Sequence, residues 1–313
     1  MRIKKFFVDL GFYTKQVFKE FSADNIVKYS AALAYYTVFS IAPLLVVITT
    51  LFGFFFGREA MQGQIYQQLN SLVGSRAAIQ IQEMIKNVHL SGDNFFATAI
   101  SIVILLVGAT SIFGEIQDSI NKIWGLRIKP KRAWWKLILT RLLSFSLILS
   151  IGFIMMVSLI LNALVAAFGK FIGKYIENYS VYFIQITEAL LSFVVATFLF
   201  SLIFKILPDA KVKWKVVLFG GFITAIFFTI GKLGIGLYLG QSNLTSLYGA
   251  AGSIIILMVW VYYSSIILYL GAEFTKVYAK LYGGKILPNE YAEWIITEEK
   301  PVSSPQLKNK DLS

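Results

Sequence analysis

Cysteine is absent from this 313-residue sequence, which excludes disulfide bonds and thiolate metal sites. Histidine is almost absent too: His89 is the single copy, in a polar stretch that includes Ser91 and Asp93. A loop histidine with no second histidine to share a metal ion is expected to be a surface residue rather than a ligand. The sequence therefore predicts no metal site, no cofactor and no catalytic residue.

Charged residues are also scarce, at 15% of the chain against 57% hydrophobic residues, and the mean hydropathy is +0.69. A soluble domain of this length cannot cover so much apolar surface. The chain is therefore predicted to be embedded in lipid. A helix needs ~20 apolar residues to cross a hydrocarbon core of about 30 Å. The predicted fold class is all-α, a polytopic membrane protein with six transmembrane helices at approximately 31–56, 95–113, 142–168, 181–204, 216–238 and 249–271.

Lysine and arginine are distributed unevenly among the segments outside these spans. Counts of 6, 7, 4 and 6 occur in the N-terminal segment, 114–141, 205–215 and the tail after 271. Counts of 3, 2 and 0 occur in 57–94, 169–180 and 239–248. Cytoplasmic loops carry such an excess, so both termini are predicted to be cytoplasmic. Because the orientation of the spans in the membrane explains where the excess lysine and arginine lie, the net charge of +12 does not call for a nucleic-acid partner, and none is expected.

The polar segments divide the chain into three parts. Residues 1–30 show helical apolar spacing, which fits an amphipathic helix on the cytoplasmic surface or a plain helical lead-in to the first span. Residues 31–283 form the transmembrane domain, and its first outer loop, 57–94, is expected to hold one or two short helices. Residues 284–313 are rich in Glu, Lys, Ser and Pro, so we predict a largely disordered cytoplasmic tail.

Two charged side chains, Glu188 and Lys232, occur within the apolar stretches. At 1.5 Å per helical residue, both lie about 9–10 Å inside the outer boundary, as does Asn162 in the third span. We expect these three residues to form a polar site between helices 3, 4 and 5, since an unpaired charge costs at least about 2.5 kcal/mol near the bilayer centre. The alternative is that Lys232 snorkels to the outer headgroups. The candidate supporting residues are Gln185, Ser192, Ser158 and Tyr248.

The fifth span has two distinct faces. Its predicted lipid face consists of apolar residues within one arc of the helix, namely Phe222, Ile223, Ile226, Ile230, Leu233 and Leu237. A stripe of small residues lets other helices approach closely, and it consists of Gly220, Thr224, Gly231 and Gly234.

Pro43 removes a backbone donor inside the first span, so a helix kink is predicted there. Broken helices often line transporter sites, but proline also occurs in membrane helices without a functional role. A second charged group is predicted at the cytoplasmic boundary, where water solvates charged side chains. It comprises Glu115, Asp118, Arg141 and Glu273. Helix-end electrostatics accounts for this group, and a gate is the alternative.

Four stretches carry a family resemblance: ALAYYTVFSIAPLL from Ala32, NKIWG from Asn121, LPDAKVKW from Leu207, and SLYGAAGSIIILMVWVYYSSIILYLGAEF from Ser246. Over approximately residues 20–283 the chain resembles the YihY/BrkB family of bacterial inner-membrane proteins. The resemblance implies a multi-pass protein of the bacterial cytoplasmic membrane. The family carries a virulence-factor label and an older ribonuclease BN label, and neither label supplies a mechanism.

A permease or lipid-translocating protein is the function that the predicted polar site favours, with membrane lipids as neighbours and an unidentified small molecule or lipid as substrate. The alternative is a non-transporting envelope scaffold whose charged ends recruit partners. A nuclease is not expected, because metal-assisted cleavage needs converging carboxylates or histidines at a water-accessible site. We therefore expect that the protein is not an enzyme, and the sequence does not indicate an oligomeric state.

Overall fold

The computed structural model of the chain describes residues 2–40, 79, 82, 111–129, 179–241, 252–282 and 285–295. This part of the chain is mostly helical, as predicted. In chain order its elements are α1 (Arg2–Ala23), α2 (residues 26–40), α3 (residues 111–123), β1 (Leu126–Ile128), α4 (Tyr179–Ile206), β2 (Ala210–Lys211), α5 (Trp214–Gln241), α6 (Gly252–Tyr282), β3 (Leu287–Pro288) and β4 (Ala292–Trp294).

Helices α4, α5 and α6 each contain a stretch long and apolar enough to cross a membrane, namely Gln185–Ile206, Trp214–Tyr238 and Ile254–Tyr282. These stretches coincide with the fourth, fifth and sixth predicted spans, which supports a membrane protein. The span 31–56 is described only to residue 40, 95–113 only from residue 111, and 142–168 lies outside the described residues. The total of six spans and their orientation therefore stay predictions.

Helices α5 and α6 meet through two reciprocal contacts between a glycine and a threonine. Thr224 of α5 fits against Gly271 of α6, and Thr275 of α6 fits against Gly220 of α5. Each threonine hydroxyl donates to the glycine carbonyl four residues earlier on its own helix, at 2.6 Å for Thr224 and 2.7 Å for Thr275. The hydroxyls are thus satisfied while the backbones approach closely, as small residues allow in membrane bundles.

The predicted faces of the fifth span agree with this packing. Gly231 lies against Tyr263 of α6, so three members of the small-residue stripe contact that helix. A Cβ at Gly234 would meet no atom of the described residues within 4 Å, so the close approach predicted there stays a prediction. Residues of the predicted lipid face are exposed on the protein surface, among them Ile230, Leu233 and Leu237.

Helix α4 packs antiparallel against α5, on a face adjacent to the one that α6 contacts. Gly221 lies directly against Thr197 and Ser201, where any side chain would approach the Thr197 carbonyl oxygen to 2.6 Å. Nearby, the rings of Phe193 and Phe222 meet edge to face with their centroids 5.5 Å apart. These contacts determine which residues of the two helices stand at the same level.

The largest apolar core lies where α2 and α5 begin and where α3, α4 and α6 end. Its largest buried side chains include Trp124, Tyr269 and Phe204. We call this end of the bundle the basic end, because the segments attached to it are the four that are enriched in lysine and arginine. Segments that the charge pattern assigns to one side of the membrane are thus neighbours in the structure, and the compartment that they face stays a prediction.

Four short strands form two small antiparallel sheets at the basic end. β1 pairs with β4, with Leu126 opposite Trp294, and β2 pairs with β3, with Ala210 opposite Pro288. Both sheets join a loop between helices to the segment after α6. These strands are not predicted from the sequence, because runs of two or three residues carry too little periodicity to be recognised.

The structure corrects part of the predicted tail. Residues 285–295 belong to the segment 284–313, for which we predict disorder, yet they hold β3 and β4 and bury Ile286 and Ala292. The reason is tertiary: this segment cannot form a core alone, but it completes a core that the helix ends have already built. Residues after 295 lie outside the described residues.

Helix α1 occupies the segment before the first predicted span, where the apolar spacing favours a helix. It ends at a turn where Asn25 has a φ of 52°, a left-handed conformation that asparagine tolerates better than most residues. Val17 is fully buried, and the Tyr13 hydroxyl donates to the Phe274 carbonyl at 2.5 Å, whereas Phe18 is 58% exposed. One face of α1 therefore packs on α6 instead of meeting only lipid headgroups.

Candidate functional site

Two polar clusters lie at the basic end. The first, here the Asp209 cluster, consists of Gln117, Asn121 and Asp209, all of which are buried. Asn121 Nδ2 donates to Asp209 Oδ2 at 2.6 Å, and the Asp209 backbone N–H donates to Asn121 Oδ1 at 2.8 Å. Gln117 Nε2 donates to Asp209 Oδ1 at 3.3 Å. This reciprocal arrangement joins the end of α3 to the turn between α4 and α5.

Trp124 extends the same connection to α6. Its indole Nε1 donates to the Ala272 carbonyl oxygen at 3.1 Å, and its side chain is buried in the main core. The stretches NKIWG, LPDAKVKW and the C-terminal part of the Ser246–Phe274 stretch therefore converge at one place. Their role here is to hold three helix ends together, since every polar group named is used in a hydrogen bond within the protein.

The second cluster, here the Glu273 cluster, consists of three carboxylates and two ammonium groups: Glu20 on α1, Asp24 in the following turn, and Glu273, Lys276 and Lys280 on α6. Lys276 Nζ lies 2.6 Å from Glu20 Oε2, 2.8 Å from Asp24 Oδ2 and 3.4 Å from Glu273 Oε2. Lys280 Nζ lies 3.1 Å from Glu20 Oε1. These ion pairs tie α1 to the end of α6.

Glu273 is fully buried, unlike the other members of its cluster. Within the described part of the chain, neither of its carboxylate oxygens has a hydrogen-bond donor, although Oε2 forms the ion pair with Lys276. The side chains of Glu20, Asp24 and Glu273 each place a carboxylate oxygen within 4.8 Å of the others. Oxygen donors so close together attract a cation, and here the Lys276 ammonium lies among them.

Glu20 is held in its ionised form. Burial raises the pKa of Glu20, but hydrogen bonds from Lys276 and Gln16 and the positive charge of Lys276 outweigh burial and lower the pKa from 4.5 to about 2. Gln16 Nε2 donates to Glu20 Oε1 at 2.8 Å, which adds a neutral donor to the two lysines. The contact between α1 and α6 therefore relies on an ionised Glu20 at neutral pH.

The intramembrane site predicted from the sequence is described in part. Glu188 and Gln185 are exposed on α4, Ser192 is half-buried there, and Lys232 is half-buried on α5. The other residues of that prediction lie outside the described residues, namely Asn162, Ser158 and Tyr248, and so does the predicted kink at Pro43. Whether these side chains meet stays a prediction.

The predicted charged group at the cytoplasmic boundary is placed differently by the structure in one respect. Glu115 is half-buried and accepts a hydrogen bond from Ser119 Oγ at 3.3 Å, Asp118 is exposed, and Arg141 lies outside the described residues. Glu273 is buried rather than interfacial, so an ionised carboxylate at this position carries a desolvation penalty.

Sequence reasoning missed the partners of Glu273, which are Glu20, Asp24 and Lys276. A signal was present: Glu20 and Asp24 are four residues apart, as are Lys276 and Lys280, so each pair lies on one helical face. Complementary charge on two helix faces permits a contact. It does not say which helices meet, because the first and last helices are over 200 positions apart in the chain.

Comparison with known proteins gives relatives that are themselves named only as membrane proteins. A UPF0761 membrane protein of Psychromonas ingrahamii is 31% identical over 84% of this chain and 86% of its own length. Proteins of the same name from Saccharophagus degradans and Stenotrophomonas maltophilia are 24% and 27% identical over 89% and 82% of this chain. The chain spans 62% and 58% of the length of those two relatives.

No solved structure matches the chain. The family model described as Virulence factor BrkB matches residues 17–292, a range that includes both clusters at the basic end. The chain therefore belongs to the Virulence factor BrkB family of membrane proteins.

Proposed function

We propose that the protein is an integral permease or lipid-translocating protein of the bacterial cytoplasmic membrane, with both termini in the cytoplasm. Its polar site lies between the third, fourth and fifth spans. Membrane lipids surround it, its substrate is a small molecule or a lipid, and it has no nucleic-acid partner.

The observation that carries this proposal concerns two ionisable residues on neighbouring spanning helices. Both lie at the same distance from the basic end, measured along their helices. Glu188 stands 18 residues before Ile206, where α4 ends, and Lys232 stands 18 residues after Trp214, where α5 begins. Both helix termini lie at the basic end, so both side chains lie about 27 Å from it along their helices.

The packing of α4 on α5 supports the same register. Gly221 touches Thr197 and Ser201. Counting outward along the two antiparallel helices from these contacts places residues 230–234 level with Glu188. Ionisable residues at one depth of a membrane domain are expensive and mark substrate or ion pathways more often than they serve as packing. Asn162 is the third proposed member of this site.

The connectivity at the basic end supports the proposed orientation. Residue 129 lies at the basic end, and Tyr179 begins α4 at the opposite end of that helix. A third span at 142–168 would connect these two ends. An excess of lysine and arginine at one end places that end in the cytoplasm.

Reconstitution in liposomes tests the proposal. Wild-type protein is expected to accelerate the flipping of fluorescent phospholipids, or the flux of one solute in a broad panel, above the rate in protein-free liposomes. Lys232→Met is expected to reduce that rate at least tenfold while inserting normally. Lys211→Met, which removes the charge of an exposed side chain on strand β2, is the matched control and should keep the rate. Equal rates with and without protein, or an unimpaired Lys232→Met, would refute the proposal.

A non-transporting envelope scaffold is the second candidate. It is favoured by the two small sheets at the basic end, because they order a polar surface that includes the exposed Arg127–Glu293 ion pair. Absence of flux, together with loss of a reproducible co-purifying protein on Glu293→Arg, would favour this function over transport.

We further propose that the protein is not a nuclease or other metal-dependent enzyme. The three carboxylates of the Glu273 cluster are the densest acidic group in the described part of the chain, but Lys276 lies among them and Glu273 is closed to solvent. RNA cleavage that persists through purification and disappears in Glu20→Gln would overturn this proposal.

A further inference from the structure

We propose that Glu273, which is fully buried at the basic end, binds a proton and that this proton controls the docking of α1 on α6. The proposal does not depend on transport, and its test measures proton binding and helix docking rather than flux.

The charges of the Glu273 cluster do not balance when every group is ionised. The Glu273 cluster contains three carboxylates, from Glu20, Asp24 and Glu273, and two ammonium groups, from Lys276 and Lys280. With every group ionised, one negative charge is left over. The surplus cannot be solvated at Glu273, because that side chain is fully buried.

Lys276 lies closer to two of the three carboxylates than to Glu273. Lys276 Nζ is 2.6 Å and 2.8 Å from Glu20 and Asp24 but 3.4 Å from Glu273, so the lysine is committed mainly to the other two carboxylates. Each Glu273 oxygen lacks a hydrogen-bond donor among the described residues, and an oxygen of Asp24 lies within 4.8 Å. Two carboxylates cannot bond to each other unless one carries a proton.

Three other helices pack near Glu273. Helix α5 meets this part of α6 through Gly220 and Thr224, and α3 meets it through the indole of Trp124 at Ala272. Helix α2 meets it through Tyr29, whose ring lies edge to face with that of Tyr269 and whose pKa is raised by burial. None of these residues titrates near neutral pH, so the charged groups that face Glu273 are the two acids from the α1 side and Lys276, while Lys280 pairs with Glu20.

The charge of Glu273 affects whether α1 stays docked on α6. Glu20 and Asp24 reach Glu273 only because α1 is docked, and both carry negative charge toward it. Loss of the proton would place a third negative charge among them, and undocking of α1 would relieve the repulsion and admit water. Protonation of Glu273 therefore favours the docked state, and each unit of pH above its titration point lowers the ratio of docked to undocked protein by up to about tenfold.

The absence of cysteine makes the docking directly measurable in the full chain. Phe18 on α1 and Leu281 on α6 are both exposed, so Phe18→Cys and Leu281→Cys introduce one spin-label pair without reactive background. Pulsed dipolar spectroscopy between about pH 6 and about pH 10 should show one short distance at the acid end and a growing longer population at the alkaline end. Glu273→Gln, which keeps the shape and is neutral, should stay docked throughout.

Infrared spectroscopy of the same protein reports the proton itself. The carbonyl stretch of a protonated carboxyl group should be present near pH 7, should disappear in Glu273→Gln, and should remain in the control Glu293→Gln, which alters an exposed ion pair. Loss of the band in Glu273→Gln supports proton binding, and its absence from the wild type overturns it. A spin-label distance that ignores pH, or that follows the same pH course in Glu273→Gln, overturns the coupling. A distance that responds to Ca²⁺ or Mg²⁺ at constant pH, without the infrared band, would assign the site to a metal cation instead.

Discussion

Replacing Gly271 with alanine is expected to destabilise the contact between α5 and α6. A Cβ atom at this position would lie 1.9 Å from Thr224 Oγ1 and 2.9 Å from Thr224 Cβ, so either the threonine or the helix must move. Overpacking of a tight contact costs about 1–3 kcal/mol. Alanine also favours a helix over glycine by about 1 kcal/mol, which offsets part of that cost.

The control is Gly234→Ala on α5, where a Cβ meets no atom of the described part of the chain within 4 Å. Both variants gain the same helix propensity, so the difference between their free energies of unfolding isolates the steric overlap, expected at about 1–3 kcal/mol. Reversible unfolding in mixed detergent micelles measures this difference. Adding Thr224→Ala to Gly271→Ala removes the 1.9 Å overlap and should restore part of the stability. Equal stability of Gly271→Ala and Gly234→Ala, or no rescue by Thr224→Ala, would refute the packing argument.

Three further predictions concern the basic end. Asp209→Ala should lower the free energy of unfolding by about 3 kcal/mol, because the buried Asn121 amide loses a charged acceptor, and a cost below about 1 kcal/mol would contradict this. The pKa of Glu20 is lowered from 4.5 to about 2, so its contribution of at most roughly 3 kcal/mol is complete above pH 4.5 and is lost as the pH falls through about 2. Acid titration of α1 docking in Glu20→Gln should lack this loss, whereas an unchanged acid transition would show that another group is responsible. Arg127→Ala should change the free energy of unfolding by less than about 1 kcal/mol, since its ion pair with Glu293 is exposed to water, and a larger loss in the same unfolding assay would contradict this.

Several parts of the fold could be predicted because they depend on local composition. The spans represented by α4, α5 and α6 follow from apolar length, and the close approach at Gly220 and Gly231 follows from small residues at helical spacing. Gly234 belongs to the same stripe, but a Cβ there would meet no atom of the described residues within 4 Å. The pattern thus identified the face of α5, and the packing against α6 decided which residues of that face make contact.

The candidate sites were less predictable, for a physical reason that Glu273 illustrates. Its position after an apolar run suggested an interfacial charge, which water would solvate at little cost. The structure buries it because α1 folds back over the end of α6 and brings Glu20 and Asp24 with it. The strands at 287–288 and 292–294 were missed for the same reason, since each exists only through its partner in a distant loop.

The sequence by itself determined that this chain belongs in a membrane and where the three described spanning stretches lie, because apolar length acts locally on the lipid. It also predicted which loops share a side, because loop charge acts locally at the membrane surface. Only the tertiary structure decided that α1 meets α6, that Asn121 forms hydrogen bonds with Asp209, and that Glu273 is buried beside two other acids. Burial and pairing depend on which distant segments pack together, and a single sequence holds no direct record of that choice.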